Sequence, residues 1–241
     1  MSHKKELIIL QLYPRDMNIY GDWGNTLVLK KRAEQHGYQV RLLEHNPGDK
    51  FPEQVDIVVG GGGQDSGQLA IQDDLASIGP DLIELAERGT SMLVICGLYQ
   101  LFGKFFKTID GTVIPGIGLL DIETVGGQER LIGNITTYSD EFGEIIGYEN
   151  HSGLTTLGRG VKPLGVVRKG AGNNGQDDGE GVHWRNVIGT YLHGSLLPKN
   201  PKIADYLIAE AAAKRYGSFT PADIDDSLAE QARRVAINRP R

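Results

Sequence analysis

Predicted strands and helices alternate through the first hundred residues, and this order constrains the fold more than any other feature of the sequence. Apolar runs predict strands at residues 6–12 and 39–45 and at the start of 54–65. Helical spacing is found at 24–37, and the segment 81–96 predicts a helix, a glycine stop and a buried strand. Because such an order gives parallel strands, the sequence predicts an α/β domain with a mostly parallel central sheet and helices on both faces.

The middle of the chain has a different pattern, in which short β-like runs are separated by glycines. These runs begin near Gly116 and end at Gly194. They predict an antiparallel extension or edge strands on the same sheet. With 33 glycines in 241 residues, the chain is expected to contain many tight turns. Residues 170–181 are polar and glycine-rich and predict a mobile loop.

Two prolines indicate helix starts near the C-terminus. Asn200-Pro201 and Thr220-Pro221 each place a capping residue before proline, which is favoured at the first helical position. We therefore divide the chain into a domain at 1–217 and a helical extension at 218–241. The extension is expected to pack on the domain or on a partner.

Composition excludes several classes of function. A net charge of −6 argues against general nucleic-acid binding, which needs a basic surface. A single cysteine excludes an intrachain disulfide framework and any multi-cysteine metal site, and it fits the reducing cytoplasm. No apolar run approaches the length of a transmembrane helix.

The single cysteine, Cys96, lies where a predicted strand meets a predicted helix. A lone cysteine is more often a packed core residue than a catalyst. Here, however, Gly97 follows at once, and the strand–turn–helix order is that of a nucleophile elbow. Such a turn exposes the thiol at the carboxyl edge of the sheet, where the helix N-terminus favours negative charge. The full G-x-S-x-G spacing is not met, since Val94 and Leu98 stand at the glycine positions.

Four consecutive glycines, Gly60–Gly63, end another predicted strand at the same edge. No Gly-Lys-Ser/Thr follows them, so a phosphate-binding loop is disfavoured. Tetrahedral intermediates need backbone N–H groups with no side chain in the way. One N–H from this loop and one from Gly97 are therefore candidates for an oxyanion site beside Cys96.

A cysteine nucleophile needs a general base, and three histidines are candidates. His193 ends an apolar strand and is followed by glycine, although a structural histidine is the alternative at this position. His151 and His183 compete with it. His151 lies beside Asn150 and Ser152 in a polar segment that is typical of a substrate loop.

Four motifs, in this order along the chain, resemble class I (triad-type) glutamine amidotransferases of the CobB/CobQ-like branch: VVGGGGQD, VICGLYQ, GYENHSG and TYLHGS. The branch amidates cobyric and cobyrinic acids. Within it, the short free-standing chain and the segment ERLIGN resemble the glutaminase subunits of lipid II isoglutaminyl synthases. The resemblance implies one amidotransferase-like domain over most of the sequence.

The resemblance also implies a role for each matching position. Cys96 attacks the glutamine carboxamide and forms a γ-glutamyl thioester, while His193 carries the protons. Gly97 and one of Gly62 or Gly63 supply oxyanion N–H groups. The substrate glutamine is held by four residues: Gln100, Arg130, Asn150 and Ser152. Arg130 would bind the α-carboxylate with its guanidinium fork, whereas an ordinary exposed arginine is the alternative.

The sequence departs from the family pattern two residues after His193. Class I enzymes usually carry a glutamate there to orient the histidine, and this chain has Ser195. The third catalytic group is therefore missing or comes from elsewhere. Glu149 or Asp65 are candidates within the chain, and we favour a carboxylate from a partner subunit, which would couple glutamine hydrolysis to complex formation.

Taken together, the resemblance implies a glutaminase subunit that hydrolyses L-glutamine and supplies ammonia to a Mur-ligase-like synthetase in a heterodimer. That partner would amidate the D-glutamate of lipid II, the peptidoglycan precursor, to D-isoglutamine. No cofactor or metal is expected on this chain, and ATP and Mg²⁺ are expected on the partner.

Three alternatives remain at this stage. The acceptor could be another carboxylate, such as one of the cobyrinic acid type. The chain could also be a cysteine hydrolase or peptidase on the same scaffold, although Gln100 and the ENHSG segment match a glutamine site better. A non-catalytic binding module would be expected to lose Cys96 or His193, and both are present.

Overall fold

The computed structural model describes residues 5–240, which form two β-sheets with α-helices packed against them. The strands are β1 (Glu6–Leu12), β2 (Gln39–His45), β3 (Ile57–Gly60), β4 (Ser91–Ile95), β5 (Phe105–Lys107), β6 (Val113–Pro115), β7 (Ile122–Ser139), β8 (Gly143–Leu157), β9 (Gly165–Lys169), β10 (Gly179–Glu180), β11 (Val182–Trp184), β12 (Val187–Thr190) and β13 (Leu192–His193). The α-helices are α1 (Trp23–Gln35), α2 (Asp65–Glu87), α3 (Gly97–Leu101), α4 (Pro201–Tyr216) and α5 (Ser227–Ile237). Short 3₁₀ helices span Ile19–Gly21 and Leu197–Lys199.

The first sheet has the strand order β11-β12-β4-β3-β1-β2. Every neighbouring pair is parallel except β11 and β12. Strands β1, β3 and β4 are buried along nearly their whole length, which explains why their sequences are continuous apolar runs. The prediction of a mostly parallel central sheet is confirmed.

The second sheet contains most of the glycine-separated runs of the middle region. Its centre is the long antiparallel pair β7 and β8, with β9, β5 and β13 added at the sides. Most of the antiparallel extension thus forms a sheet of its own, whereas the last run adds β11 to the first sheet as an antiparallel edge strand. The pairing of β7 with β8 shifts between Gly126 and Leu131, and this bulge includes Arg130.

Helix α2 begins directly after the glycine loop, at Asp65, whereas the sequence pattern predicts a helix only from residue 81. Its 23 residues contain Gly79 and Pro80, which interrupt the helical pattern of the sequence. On the other helices, Arg32 of α1 forms ion pairs with Asp205 of α4 and with Asp226 just before α5. These pairs join the helical segments of the C-terminal region to α1.

The C-terminal extension packs on the domain. Helix α4 begins at Pro201, as predicted, and ends where Gly217 adopts a φ of 79°. The second predicted start at Pro221 is wrong, because α5 begins only at Ser227. Arg233 of α5 donates hydrogen bonds to the carbonyl oxygens of Lys199 and Glu144.

The glycine-rich segment 170–181 is held in place by buried hydrogen bonds, so the prediction of a mobile loop is wrong. The side chain of Asn173 is fully buried, and it bonds to both backbone groups of Gly181. The hydroxyl of Tyr99 also donates to Asn173. Polar composition was misleading because these amides bond within the protein. Among residues 5–240 there is no helix with the length and apolar character needed to cross a membrane.

Candidate active site

Cys96 occupies a strained turn between β4 and α3. Its backbone has φ 49° and ψ −103°, a region that a non-glycine residue rarely adopts. The turn is held on both sides, since the N–H of Cys96 donates to the carbonyl of Thr190 (2.8 Å) and the N–H of Gln100 donates to the carbonyl of Cys96 (2.9 Å). The residue is 8% exposed. The structure therefore has the strand–turn–helix geometry expected of a nucleophile elbow.

A cavity of about 440 Å³ opens beside Cys96. This volume lies in the usual range for small-molecule sites, about 300–1,000 Å³. The four residues that the sequence assigns to substrate binding all line it: Gln100, Arg130, Asn150 and Ser152. The structure thus brings the predicted substrate residues and the thiol into one cavity, although they come from α3, β7 and β8.

His193 ends β13 and is fully buried beside the same turn. A Cβ added to Gly62 would lie 2.7 Å from Cε1 of His193 and 3.1 Å from Cβ of Cys96. Gly62 therefore lies against both side chains and has no room for a larger residue. The Nε2 of His193 is buried without a regular hydrogen bond to the described residues, as is common for catalytic bonds that tighten when substrate binds.

The group that orients His193 is Asp22, a residue that sequence reasoning missed. Its Oδ2 and Oδ1 lie 3.1 and 3.3 Å from Nδ1 of His193. Asp22 is buried at the start of α1. Within this chain a carboxylate already lies at that position, and the expectation of one from a partner subunit stays a prediction. No spacing motif links the two residues, which are 171 positions apart.

The two candidates that the sequence offered for this task lie elsewhere. Glu149 accepts hydrogen bonds from the backbone N–H groups of Ala171 and Gly172 (both 2.9 Å), and so fixes the segment that follows β9. Asp65 is the first residue of α2 and lines the outer part of the cavity.

Opposing effects act on the ionisation of His193. Burial disfavours the imidazolium, but the Cys96 sulfur and the Asp22 carboxylate outweigh it and raise the pKa of His193 to about 10. A histidine with this pKa holds its proton readily and can deliver it to a leaving group.

Of the two glycines that could supply the oxyanion donor of the loop, the structure leaves Gly63. The N–H of Gly62 donates to Oδ2 of Asp22 (2.8 Å), so it is not available to a substrate oxygen. Gly63 remains a candidate, because a Cβ added to Gly97 would lie 3.0 Å from its nitrogen. Gly97 opens α3, and the first N–H groups of a helix have no partner within it. The predicted oxyanion site is therefore narrowed to Gly63 and Gly97.

Gln100 is buried in a hydrogen-bond chain at the floor of the cavity. Its Oε1 accepts from Nε2 of Gln68 (2.7 Å), and its Nε2 donates to the hydroxyl of Tyr191 (3.1 Å). Tyr191 in turn is 2.6 Å from the hydroxyl of Thr155. These hydrogen bonds fix the orientation of the Gln100 amide. Contact between Gln100 and the substrate stays a prediction.

At the mouth of the cavity, Arg130 and Asn150 form a pair. Nε and Nη2 of Arg130 donate to Oδ1 of Asn150 at 3.2 and 2.8 Å. Nδ2 of Asn150 donates to the hydroxyl of Tyr20 (2.8 Å). The cationic guanidinium thus lies at the end of the cavity that is suited to a carboxylate.

The two competing histidines are unsuited to act as the base. His151 is buried and stacked on Tyr191, with ring centroids 3.6 Å apart, and burial lowers its pKa to about 4. Its Nδ1 is bonded to the carbonyl of Gly153. His183 contacts Glu141 and Tyr206 and does not line the cavity.

Comparison with known proteins agrees with this geometry. The family model described as the CobB/CobQ-like glutamine amidotransferase domain matches residues 8–201. The chain belongs to this family. The amidotransferase is 41% identical to the lipid II isoglutaminyl synthase (glutamine-hydrolyzing) subunit GatD of Staphylococcus aureus, over 97% of this chain and 96% of that protein.

A second relative, the same subunit from Streptococcus pneumoniae, is 40% identical over 90% of this chain and 84% of its own length. Among solved structures, a chain of PurLQS from Thermotoga maritima has a TM-score of 0.58 and 16% identity. It covers 86% of this chain and 98% of that one, and at this identity the likeness shows the fold alone.

Ser195, which stands where the family usually has glutamate, has a different task in this amidotransferase. Its Oγ donates to the carbonyl of Gly21 (2.7 Å), and its backbone has a φ of 46°. Gly21 directly precedes Asp22. The serine thereby fastens the loop that presents the alternative carboxylate to His193.

Proposed function

We propose that this chain is the glutamine-hydrolysing subunit of a two-protein amidotransferase. Cys96 is the nucleophile, and the buried pair of Asp22 and His193 lies beside it as the other two members of a catalytic triad. The cavity that contains Cys96 is also lined by Arg130 and Asn150, which are suited to the amino-acid end of glutamine. The observation that carries the proposal is this single cavity, which has the strained Cys96 on its wall and the guanidinium of Arg130 at its mouth.

The first half of the reaction forms a thioester. The sulfur of Cys96 attacks the carboxamide carbon of glutamine, and the oxygen becomes an oxyanion beside the N–H groups of Gly63 and Gly97. His193 delivers its proton to the nitrogen, the C–N bond breaks and ammonia leaves. Asp22 holds the imidazolium in the correct orientation throughout.

The second half releases glutamate. His193, now neutral, takes a proton from a water molecule, and the water oxygen attacks the thioester carbon. The C–S bond breaks, the sulfur leaves as a thiolate, and the imidazolium–thiolate pair is restored for the next turnover. No step requires a metal ion or a cofactor on this chain.

We further propose that the ammonia passes to a Mur-ligase-like synthetase subunit in a heterodimer. That partner would bind ATP and Mg²⁺ and amidate the D-glutamate of lipid II to D-isoglutamine in the cytoplasm, at the inner face of the membrane. This acceptor is supported by the two relatives that match most of the chain, since both are lipid II isoglutaminyl synthase subunits.

The test uses the chain purified alone and with its co-expressed synthetase. We expect ammonia release from L-glutamine, and glutamine-dependent amidation of lipid II by the complex with ATP. A Cys96→Ala complex should lose amidation from glutamine and keep it when ammonium chloride replaces glutamine. Amidation of a cobyrinic acid in place of lipid II would contradict the acceptor, and cleavage of a peptide panel without ammonia release would contradict the glutaminase.

A further inference from the structure

Tyr20 lies between the histidine and the mouth of the cavity. It belongs to the short 3₁₀ helix Ile19–Gly21, two residues before Asp22, and it lines the cavity that contains Cys96. The residue is 46% exposed, although its ring packs on the buried His193. Neither the resemblance nor the motifs of the sequence pointed to it.

The ring of Tyr20 packs on the imidazole of His193. Their centroids are 5.0 Å apart with an interplanar angle of 75°, an edge-to-face arrangement. Asp22 bonds to Nδ1 of the same imidazole. The ring and the carboxylate together restrict both the tilt and the rotation of His193.

The backbone of Tyr20 shows that this placement is enforced. Its φ of 57° and ψ of 19° lie in the left-handed region. This conformation is energetically unfavourable for any residue that has a side chain. The segment around it is bonded on both sides, since the N–H of Ile19 donates to the carbonyl of Gly62 (3.0 Å) and Ser195 donates to Gly21. The fold thus holds a strained tyrosine over the histidine.

The hydroxyl of Tyr20 reaches in the opposite direction. It accepts a hydrogen bond from Nδ2 of Asn150, whose Oδ1 accepts from Arg130. One side chain therefore touches the proposed proton carrier with its ring and the proposed substrate-carboxylate pair with its oxygen.

We infer that Tyr20 is a positioning residue that acts on two steps through two parts of its side chain. The ring holds His193 in line for proton transfer, and the hydroxyl holds Asn150 and Arg130 in the orientation that binds the glutamine α-carboxylate. This inference rests on the proposed glutaminase function.

Two substitutions separate the two parts. Tyr20→Phe keeps the ring and removes the bond to Asn150, so KM for glutamine should rise roughly fivefold while kcat stays within about twofold. Tyr20→Ala also removes the ring, so kcat should fall roughly 10- to 100-fold as the histidine loses its alignment. The alkaline limb of the pH–kcat profile should shift in Tyr20→Ala and stay in place in Tyr20→Phe.

The control is Tyr138, an equally exposed tyrosine (45%) on β7 that does not line the cavity. Tyr138→Phe and Tyr138→Ala should leave KM and kcat unchanged. A double-mutant cycle tests the route through Asn150: in an Asn150→Ala background, Tyr20→Phe should add no further increase in KM.

All measurements use the complex of this chain with its synthetase, and glutamine binding is also measured by calorimetry on Cys96→Ala complexes. Three results would overturn the inference and leave the proposed function intact: an unchanged KM in Tyr20→Phe, an equal kcat in the two Tyr20 variants, or additive effects on KM of Tyr20→Phe and Asn150→Ala. A wild-type complex that neither binds nor hydrolyses glutamine would overturn the proposed function, and the inference with it.

Discussion

The carboxylate of Asp22 lies 3.1 Å from Nδ1 of His193, although the two residues are 171 positions apart in the sequence. The same carboxylate oxygen accepts the N–H of Gly62 (2.8 Å), so the start of α1, the glycine loop and the end of β13 meet at one buried group. The role that a glutamate two residues after the histidine usually has is thereby filled by an aspartate from another part of the chain.

Replacement of this carboxylate by an amide should disable the histidine. In Asp22→Asn an amide oxygen at the Oδ2 position can still accept from Gly62, but the negative charge beside His193 is lost. The NH₂ group then lies at the Oδ1 position, also close to Nδ1, and it disfavours the protonated imidazole. We expect kcat for ammonia release to fall roughly 10³- to 10⁴-fold with little change in KM, as measured by a coupled ammonia assay. Asp81→Asn, an exposed change on α2, is the control. Activity near the wild-type level in Asp22→Asn would restore the partner carboxylate as the third group.

Removal of the Ser195 hydroxyl should have a much smaller effect. In Ser195→Ala the loop that carries Asp22 loses its bond to the carbonyl of Gly21, which is worth about 1 kcal/mol. We expect kcat to fall roughly fivefold, with exposed Ser218→Ala as the control. A loss as large as that of Asp22→Asn would show that Ser195 acts on His193 directly and not by fastening the loop.

The ionisation of His193 should depend on the cysteine. The sulfur of Cys96 and the carboxylate of Asp22 both favour the imidazolium against the effect of burial, and together they raise the pKa of His193 to about 10. Cys96→Ala removes one of these two groups, so the pKa should fall. An NMR titration of labelled histidine in the two proteins measures the change, and an unchanged midpoint would show that the sulfur and the imidazole do not interact.

A buried acid behind the site should make stability depend on pH. Glu180 is fully buried, and its Oε1 accepts from the hydroxyl of Thr190 and the N–H of Tyr191, while Oε2 has no hydrogen-bond partner among the described residues. Burial raises the pKa of Glu180 from its ordinary 4.5 to about 7. Between these values the folded state binds more protons than the unfolded state, so this residue's contribution to stability is lost as the pH rises.

Glu180→Gln keeps the accepting oxygen and cannot ionise. We expect the variant to be more stable than the wild type above pH 7, on the order of 1–2 kcal/mol, which corresponds to a melting temperature higher by roughly 2–8 °C. The difference should shrink as the pH falls toward 4.5. Glu53→Gln, a change at an exposed site, is the control for calorimetry at several pH values. A variant that loses stability at pH 8 would contradict this account.

The architecture of the first hundred residues could be predicted because β1, β3 and β4 are buried on both faces. Such strands are continuous apolar runs, and glycines separate them from the helices that follow. The start of α2 at Asp65 could not be predicted, since Gly79 and Pro80 break its helical pattern and the fold compensates for that break. Likewise, the second sheet was foreseen as antiparallel but not as a separate sheet, because period-two patterns do not encode which strands become neighbours.

The candidate site was predictable where chemistry and local turns coincide. Cys96 directly follows β4 and His193 ends β13, and each is followed by glycine, so both mark the end of a strand. The two strands belong to different sheets, whose ends meet at the cavity. Asp22 and Tyr20 have no such signal, because their roles depend on a tertiary approach of the loop before α1 to β13. The sequence could not choose between Gly62 and Gly63 as oxyanion donors for the same reason: the partner of the Gly62 N–H is a residue distant in sequence.

The most direct test of the account is to trap the covalent intermediate. The complex is mixed with L-glutamine, quenched in acid and analysed by peptide mass mapping. The account predicts a glutamyl adduct on the peptide that contains Cys96, formed within one turnover and absent from Cys96→Ala. An adduct on another residue, or ammonia release by Cys96→Ala at the wild-type rate, would contradict the central claim that Cys96 is the nucleophile.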